Sequence, residues 1–223
     1  MLTFVQQSLA VFLKDIRLEW RSRFGVSTAL AFIASSLLVV LFSLGADQLP
    51  LAARSGLIWI IVLFASLVSL ARIFLSESER GTLDLLRLNA TASAVYAGKL
   101  CYNFLFTLFI SSVTCVLFII MTDTAVADPG LLVVTLALGS LGLAGITTLL
   151  GALVSQATRK GALFPVLALP LLIPLMLILV RITESVFTMF GQDAYLDDLL
   201  ALLGFAGVTI SASVLLFEHL WED

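Results

Sequence analysis

Apolar residues run together in this chain in six blocks, at about 26–44, 56–75, 100–121, 130–154, 163–180 and 199–217. Each block is close to the roughly 20 residues that a helix needs to cross a hydrocarbon core. A helix satisfies its own backbone hydrogen bonds, so six such blocks predict six transmembrane helices. The alternation of a barrel strand is absent from all of them. The fold class is therefore an all-α polytopic membrane protein, with one transmembrane domain spanning residues 1–223.

Ahead of the first block, residues 2–24 follow a different pattern. Leu2, Val5, Leu9, Phe12, Leu13, Ile16 and Trp20 recur at helical spacing, with Gln6, Lys14, Asp15, Arg17, Arg21 and Arg23 between them. This predicts an amphipathic helix in the membrane interface, with Trp20 at headgroup depth and basic residues toward anionic lipid. Two roles fit the pattern equally: a simple topogenic anchor and a docking surface for a cytoplasmic partner. The charges here and the length of the first apolar block predict a retained anchor, not a cleaved leader.

Between the second and third blocks lies Ser76-Glu77-Ser78-Glu79-Arg80-Gly81-Thr82-Leu83-Asp84-Leu85-Leu86-Arg87-Leu88-Asn89. Ser76 and Glu79 have capping-box spacing, which predicts a helix start. Gly81 permits a break, and Thr82 is placed to cap a second short helix with Leu83, Leu86 and Leu88 on its apolar side. Spacing alone fits both a solvated loop and a socketed helix.

Three further patterns concern packing. The fifth block holds three of the five prolines, Pro165, Pro170 and Pro174, which predict either a hinge or broken segment, or a statically bent packing helix. The fourth block carries Ser140, Ala144, Thr148 and Ala152 at four-residue steps, beside Gly139, Gly142 and Gly145; small residues so spaced let helices approach closely, within a subunit or across a dimer. Residues 181–198 mix Ile182, Val186, Phe187, Met189 and Phe190 with polar positions. They predict a segment outside the membrane, apolar enough to lie on or dip into the outer interface, in which Arg181 and Glu184 are spaced to form an exposed pair of little worth.

Composition sharpens the class. The 223 residues are 61% hydrophobic and 12% charged, with a net charge of −3. A soluble domain carries about 25% charged residues. The mean hydropathy is +1.13 and the pI about 5.1, which argues against a nucleic-acid partner. The 12 basic residues also set the orientation. Lys14, Arg17, Arg21, Arg23, Arg72, Arg80, Arg87, Lys99, Arg159 and Lys160 fall on one side, Arg54 and Arg181 on the other. Basic loops stay inside, so both termini are expected in the cytoplasm.

Enzyme chemistry is scarce. The single histidine, His219, is read as an exposed tail residue. Cys101 and Cys115 lie in one span, about 21 Å apart at 1.5 Å per residue, too far for a disulfide; both are read as buried. No P-loop precedes Lys99. No catalytic, metal or directly bound cofactor residue is expected. The spans hold no central charge, which argues against an ion-coupled carrier and for a permease moved by an external motor.

Glu79-Arg80-Gly81-Thr82-Leu83-Asp84 with Gly98-Lys99 resembles the coupling-helix element of six-span ABC exporter permeases. A closer resemblance adds Gly56-Leu57-Ile58-Trp59, Leu70-Ala71-Arg72-Ile73-Phe74, Arg159-Lys160-Gly161-Ala162-Leu163 and the run from Leu167 through Pro170 and Pro174 to Leu175. Together these resemble the haem exporter protein B (CcmB) family of cytochrome c maturation. Ala71 stands where family members often carry an acid beside Arg72.

The resemblance implies a bacterial inner-membrane permease, paired as a homodimer and clamping two ATP-binding subunits. A haem-handling membrane subunit and a small accessory subunit complete the complex. ATP and haem are then held by partner subunits. On this reading Glu79, Arg80, Gly81, Thr82, Leu83, Asp84 and Leu86 contact the ATPase, supported by Arg17, Arg21 and Arg23, while Pro165, Pro170 and Pro174 serve as hinge or packing residues. Another ABC exporter permease, for lipid, polysaccharide or drug, and a non-transport assembly scaffold are the alternatives.

Overall fold

The computed structural model describes residues 3–44, 49–79, 86, 88–156, 160–188 and 193–222. These form seven helices: α1 (Phe4–Ser22), α2 (Phe24–Leu44), α3 (Leu51–Glu79), α4 (Ala92–Thr122), α5 (Pro129–Gln156), α6 (Lys160–Phe187) and α7 (Asp193–Glu222). Among the described residues there is no strand. Helices α2 to α7 each contain a stretch long and apolar enough to cross a membrane, six in all.

Helix α5 is the centre of the bundle and packs on α3, α4, α6 and α7. Its start is written in Asp128-Pro129. The Asp128 carboxylate accepts the Leu131 N–H at 2.9 Å, and proline at the first helical position gives up a donor that would have no helical partner. The small residues of α5 are spent inside the subunit. A Cβ on Gly139 would lie 2.5 Å from the Trp59 ring, and one on Gly142 would lie 3.0 Å from Leu175. Ser140 pairs with Ser111 at 2.9 Å, and Thr148 accepts the Asn103 amide at 2.7 Å. The close approach expected of this stripe is therefore an internal one.

Helices α2 and α7 are peripheral. Only 22% and 17% of their spanning windows are buried, against 61% for α5, so their remaining surface is left to lipid or to another chain. The main core joins Ile33, Trp59, Val62, Ile110, Phe118, Leu143, Leu175 and Leu179, with the Trp59 indole N–H donating to Thr183 at 2.7 Å.

Four expectations are corrected. Ser76 does not start a helix: α3 continues through it to Glu79, because no proline or glycine lies between Gly56 and Ser76 to end the helix. Residues 181–187 are not a surface segment but the last turns of α6, with Ile182, Val186 and Phe187 in the core. Arg181 pairs with Asp198 at the start of α7, at 3.5 Å, and not with Glu184. Cys101 is exposed while Cys115 is buried. Cys101 lies two residues from both Lys99 and Asn103, about 200° around the helix from the face they bury.

Helix α6 runs unbroken through all three prolines. Pro170 and Pro174 are on its exposed side, whereas Leu172, Leu175 and Leu179 are its buried contacts. The Pro165 side chain lies outside the described residues.

Candidate functional site at the basic end of the bundle

Basic residues gather where α1 meets the start of α4, next to the connection that links α3 to α4. Helix α1 begins at Thr3, whose N–H donates to Gln6 Oε1 at 3.0 Å. It ends at Arg23, which adopts the left-handed conformation (φ 52°) and donates its N–H to the Glu19 carbonyl. The turn brings the Glu19 carboxylate onto the next helix, where Oε1 accepts the Val26 N–H at 2.8 Å. A carboxylate at a helix N-terminus satisfies a free donor and complements the helix dipole. The elbow between α1 and α2 is thus held by one acid.

The second acid of α1 faces the bundle. Asp15 is 5% exposed and lies 3.4 Å from Lys99 Nζ, itself wholly buried in the second turn of α4. Lys14 stands 3.3 Å from the other Asp15 oxygen. Burying a lysine is costly unless a partner carboxylate offsets the loss of water, so the position of Lys99 depends on α1 lying where it does. Gly98 makes this contact close: a Cβ there would meet the Ser8 carbonyl at 2.6 Å and Val11 Cβ at 2.8 Å. One turn earlier, Gln7 Oε1 accepts both the backbone N–H and the hydroxyl of Thr91, each at 3.2 Å. Thr91 is the residue at which α4 begins.

A small second core completes the junction. Val11 of α1, Val95 and Tyr96 of α4 and Phe217 of α7 pack together, with the Tyr96 and Phe217 rings 5.6 Å apart. Leu86 packs partly onto this cluster. Leu88, two residues on, is 82% exposed. Of the apolar residues expected on one side of a short helix, Leu86 is therefore partly used within the subunit and Leu88 is presented outward.

The other expected contact residues divide. Arg17, Arg21 and Arg23 are all exposed on or just after α1. Glu79 ends α3, but its side chain lies outside the described residues, as do Arg80, Gly81, Thr82, Leu83 and Asp84 entirely. Asp15 is the functional candidate that reading the sequence missed, and the burial of Lys99 against it and the exposure of Leu88 were not legible there. Asp15 reads there as one more polar position on an amphipathic helix, and nothing local signals a partner 84 positions away. Among the described residues no group of His, Cys, Asp and Glu side chains is placed to hold a metal ion.

The opposite end of the bundle is tied without buried ion pairs among the described residues. Arg54, near the start of α3, donates to the Thr122 carbonyl and to Thr124 Oγ1 at 3.4 and 2.8 Å. The backbone N–H groups of Ala127 and Asp128 both donate to the Val186 carbonyl.

A chain of six long apolar helices preceded by a shorter amphipathic one has relatives among known proteins. The family model described as CcmB protein matches residues 6–217. The chain belongs to the CcmB family. Helices α1 to α7 all fall wholly or mostly within the matched region. Heme exporter protein B of Rhodobacter capsulatus is 35% identical over 171 residues, covering 74% of this chain and 77% of that protein. Its namesake in Bradyrhizobium diazoefficiens is 31% identical over 181 residues, covering 79% and 81%. That of Paracoccus denitrificans is 28% identical over 217 residues, covering 92% and 93%. The CcmB likeness thus takes in the α1–α4 junction as well as the spans.

Proposed function

We propose that this chain is the membrane permease subunit of an ABC transporter complex in cytochrome c biogenesis. It couples ATP hydrolysis on a separate subunit to haem delivery or to release of the haem-loaded periplasmic chaperone. Membership of the CcmB family carries the reading, and the relatives named heme exporter protein B give the cargo class. The chain holds neither ATP nor haem itself; both sit on partner subunits, which include a haem-handling membrane subunit and a small accessory subunit. The complex contains two copies of the permease in the cytoplasmic membrane of a bacterium, with both termini in the cytoplasm, as the placement of the basic residues supports.

The ATPase contact is the connection from Glu79 to Leu88. Leu88 supports this as the outward apolar anchor, since an 82% exposed leucine beside charged residues suits a partner's pocket. Glu79, Arg80, Gly81, Thr82, Leu83 and Asp84 supply the rest, and Leu86 ties the connection to the bundle. Mechanical work received here reaches α4 through Thr91.

The test is charge reversal at Arg80→Glu together with Asp84→Arg. The variant is expected to insert normally and to lose transport-coupled ATP hydrolysis and haem staining of c-type cytochromes. Unchanged coupling would overturn the contact. Normal cytochrome staining in a deletion strain would overturn the cargo.

A further inference from the structure

The charges of α1 are sorted by the fold. Helix α1 and its elbow carry two acids and four bases. Both acids turn inward: Asp15 onto the buried Lys99, and Glu19 onto the Val26 N–H. Lys14 follows Asp15. What remains on the outer surface is cationic, because Arg17, Arg21 and Arg23 are exposed.

The same surface is apolar over the first half of the helix. Val5 is 69% exposed, Leu9 52% and Leu13 37%, and Trp20 is 78% exposed on the same side. Val5, Leu9, Leu13, Arg17 and Arg21 form one row at four-residue steps, apolar for three positions and basic for two. The row leads into Phe24, 45% exposed, where the peripheral helix α2 begins. The buried side of α1, by contrast, holds Val11 and Asp15 against α4. Of the apolar stripe of α1, Phe12 and Ile16 pack against the core, while Val5, Leu9, Leu13 and Trp20 stay on the outer surface.

We propose that this outer surface of α1 is a binding site for anionic phospholipid headgroups. The stripe of Val5, Leu9, Leu13 and Trp20 enters the acyl boundary, and Arg17, Arg21 and Arg23 take the phosphates. Charge complementarity decides the occupant: an amphipathic helix with exposed aromatic and aliphatic residues, flanked by arginines and stripped of exposed acid, fits an anionic interface. The row runs into the start of the first spanning helix, α2, where a helix enters the bilayer and headgroups lie. The family resemblance puts these arginines on the ATPase and the periodicity puts them toward lipid; their exposure on the outer surface, with both acids turned inward, favours lipid.

The test uses the full chain in lipid nanodiscs, without partner subunits. An environment-sensitive fluorophore is placed at Leu9→Cys in a Cys101→Ser background. In discs of phosphatidylcholine with phosphatidylglycerol, the emission is expected to shift to the blue, beyond its position in phosphatidylcholine alone, and the excess shift to fall with added salt. Neutralising arginines to glutamine is expected to raise the phosphatidylglycerol fraction needed for half the shift by about fivefold for each residue. These are exposed side chains, and a monodisperse elution profile verifies that the variants still fold. An emission indifferent to headgroup charge, in the parent and in the Arg17→Gln/Arg21→Gln/Arg23→Gln variant alike, overturns the proposal. Water-like emission in both bilayers that shifts only when the ATP-hydrolysing subunit is added also overturns it, and assigns the face to that protein.

Discussion

Helix α4 holds two neighbours by two different chemistries. Near its start it takes α1 with a buried ion pair, a glycine contact and a glutamine on its first turn. Along its middle it takes α5 with uncharged groups, Asn103 on Thr148 and Ser111 on Ser140. Those two bonds fix the register of the seam and place Thr107 level with Ala144 between them. The difference follows the cost of charge. Near the end of a span a buried lysine is tolerated if a carboxylate is supplied, whereas in mid-span the cost of an ion rises steeply. Hydroxyls and amides cost less there and let helices pack closely. The end of α4 is accordingly specific and expensive to break, and its middle is adaptable.

The largest effect is expected from Lys99→Met, which removes the buried cation beside Asp15 and leaves it only the part-exposed Lys14. Loss of one partner of a buried pair costs about 3–5 kcal/mol, read as a lowered unfolding temperature in detergent. The Asp15→Leu/Lys99→Met double variant is expected to recover most of that loss, since no buried charge is then left over. A single variant as stable as the parent would mean that charge is not what holds α1. Next comes Asn103→Leu, at about 0.6 kcal/mol and at most about 1.7, the range for hydrogen bonds between membrane helices. The loss is held down because Asn103 Oδ1 has no partner among the described residues, so the substitution also removes a buried polar atom. A larger loss at Asn103 than at Lys99 would reverse the comparison. The smallest effect is expected at Arg181→Ala. Its pair with Asp198 leaves the arginine 72% exposed, and such pairs are worth less than about 1 kcal/mol.

The spans were legible because a bilayer imposes a length and a polarity on anything that crosses it, and both are written along the chain. Element ends were less so. Ser76 and Glu79 have the spacing of a helix start, but that spacing acts only where a helix begins, and α3 is already under way when it reaches them. Ile182 and Val186 look peripheral because Arg181 and Glu184 stand beside them, yet helical geometry turns the apolar pair inward and the charged pair away. The amphipathic character of α1 was plain in its periodicity. Which side would face the bundle was not, since Val5, Leu9, Leu13 and Trp20 of the stripe went outward, only Phe12 and Ile16 packed on the core, and Asp15 went in.

The candidate site divides in the same way. Its location, a charged connection beside a basic interfacial helix, could be read from charge placement and from the Gly-Thr-Leu-Asp element. Its construction could not. Leu86 and Leu88 are alike in sequence, and only packing on Val11, Val95, Tyr96 and Phe217 separates the partly buried one from the exposed one.

The sequence by itself determined that this is a six-span all-helical membrane protein with its basic residues gathered at one end. Those properties depend on local hydrophobicity and charge, which each residue carries wherever it lies. Only the tertiary structure decided that α5 is the hub, that its small residues serve the subunit's own interior, and that Asp15 meets Lys99 across 84 positions. Such facts depend on which faces of distant helices are brought together. A buried charge is tolerable only where the fold delivers its partner, so Lys99 could be counted from the sequence but understood only from the bundle.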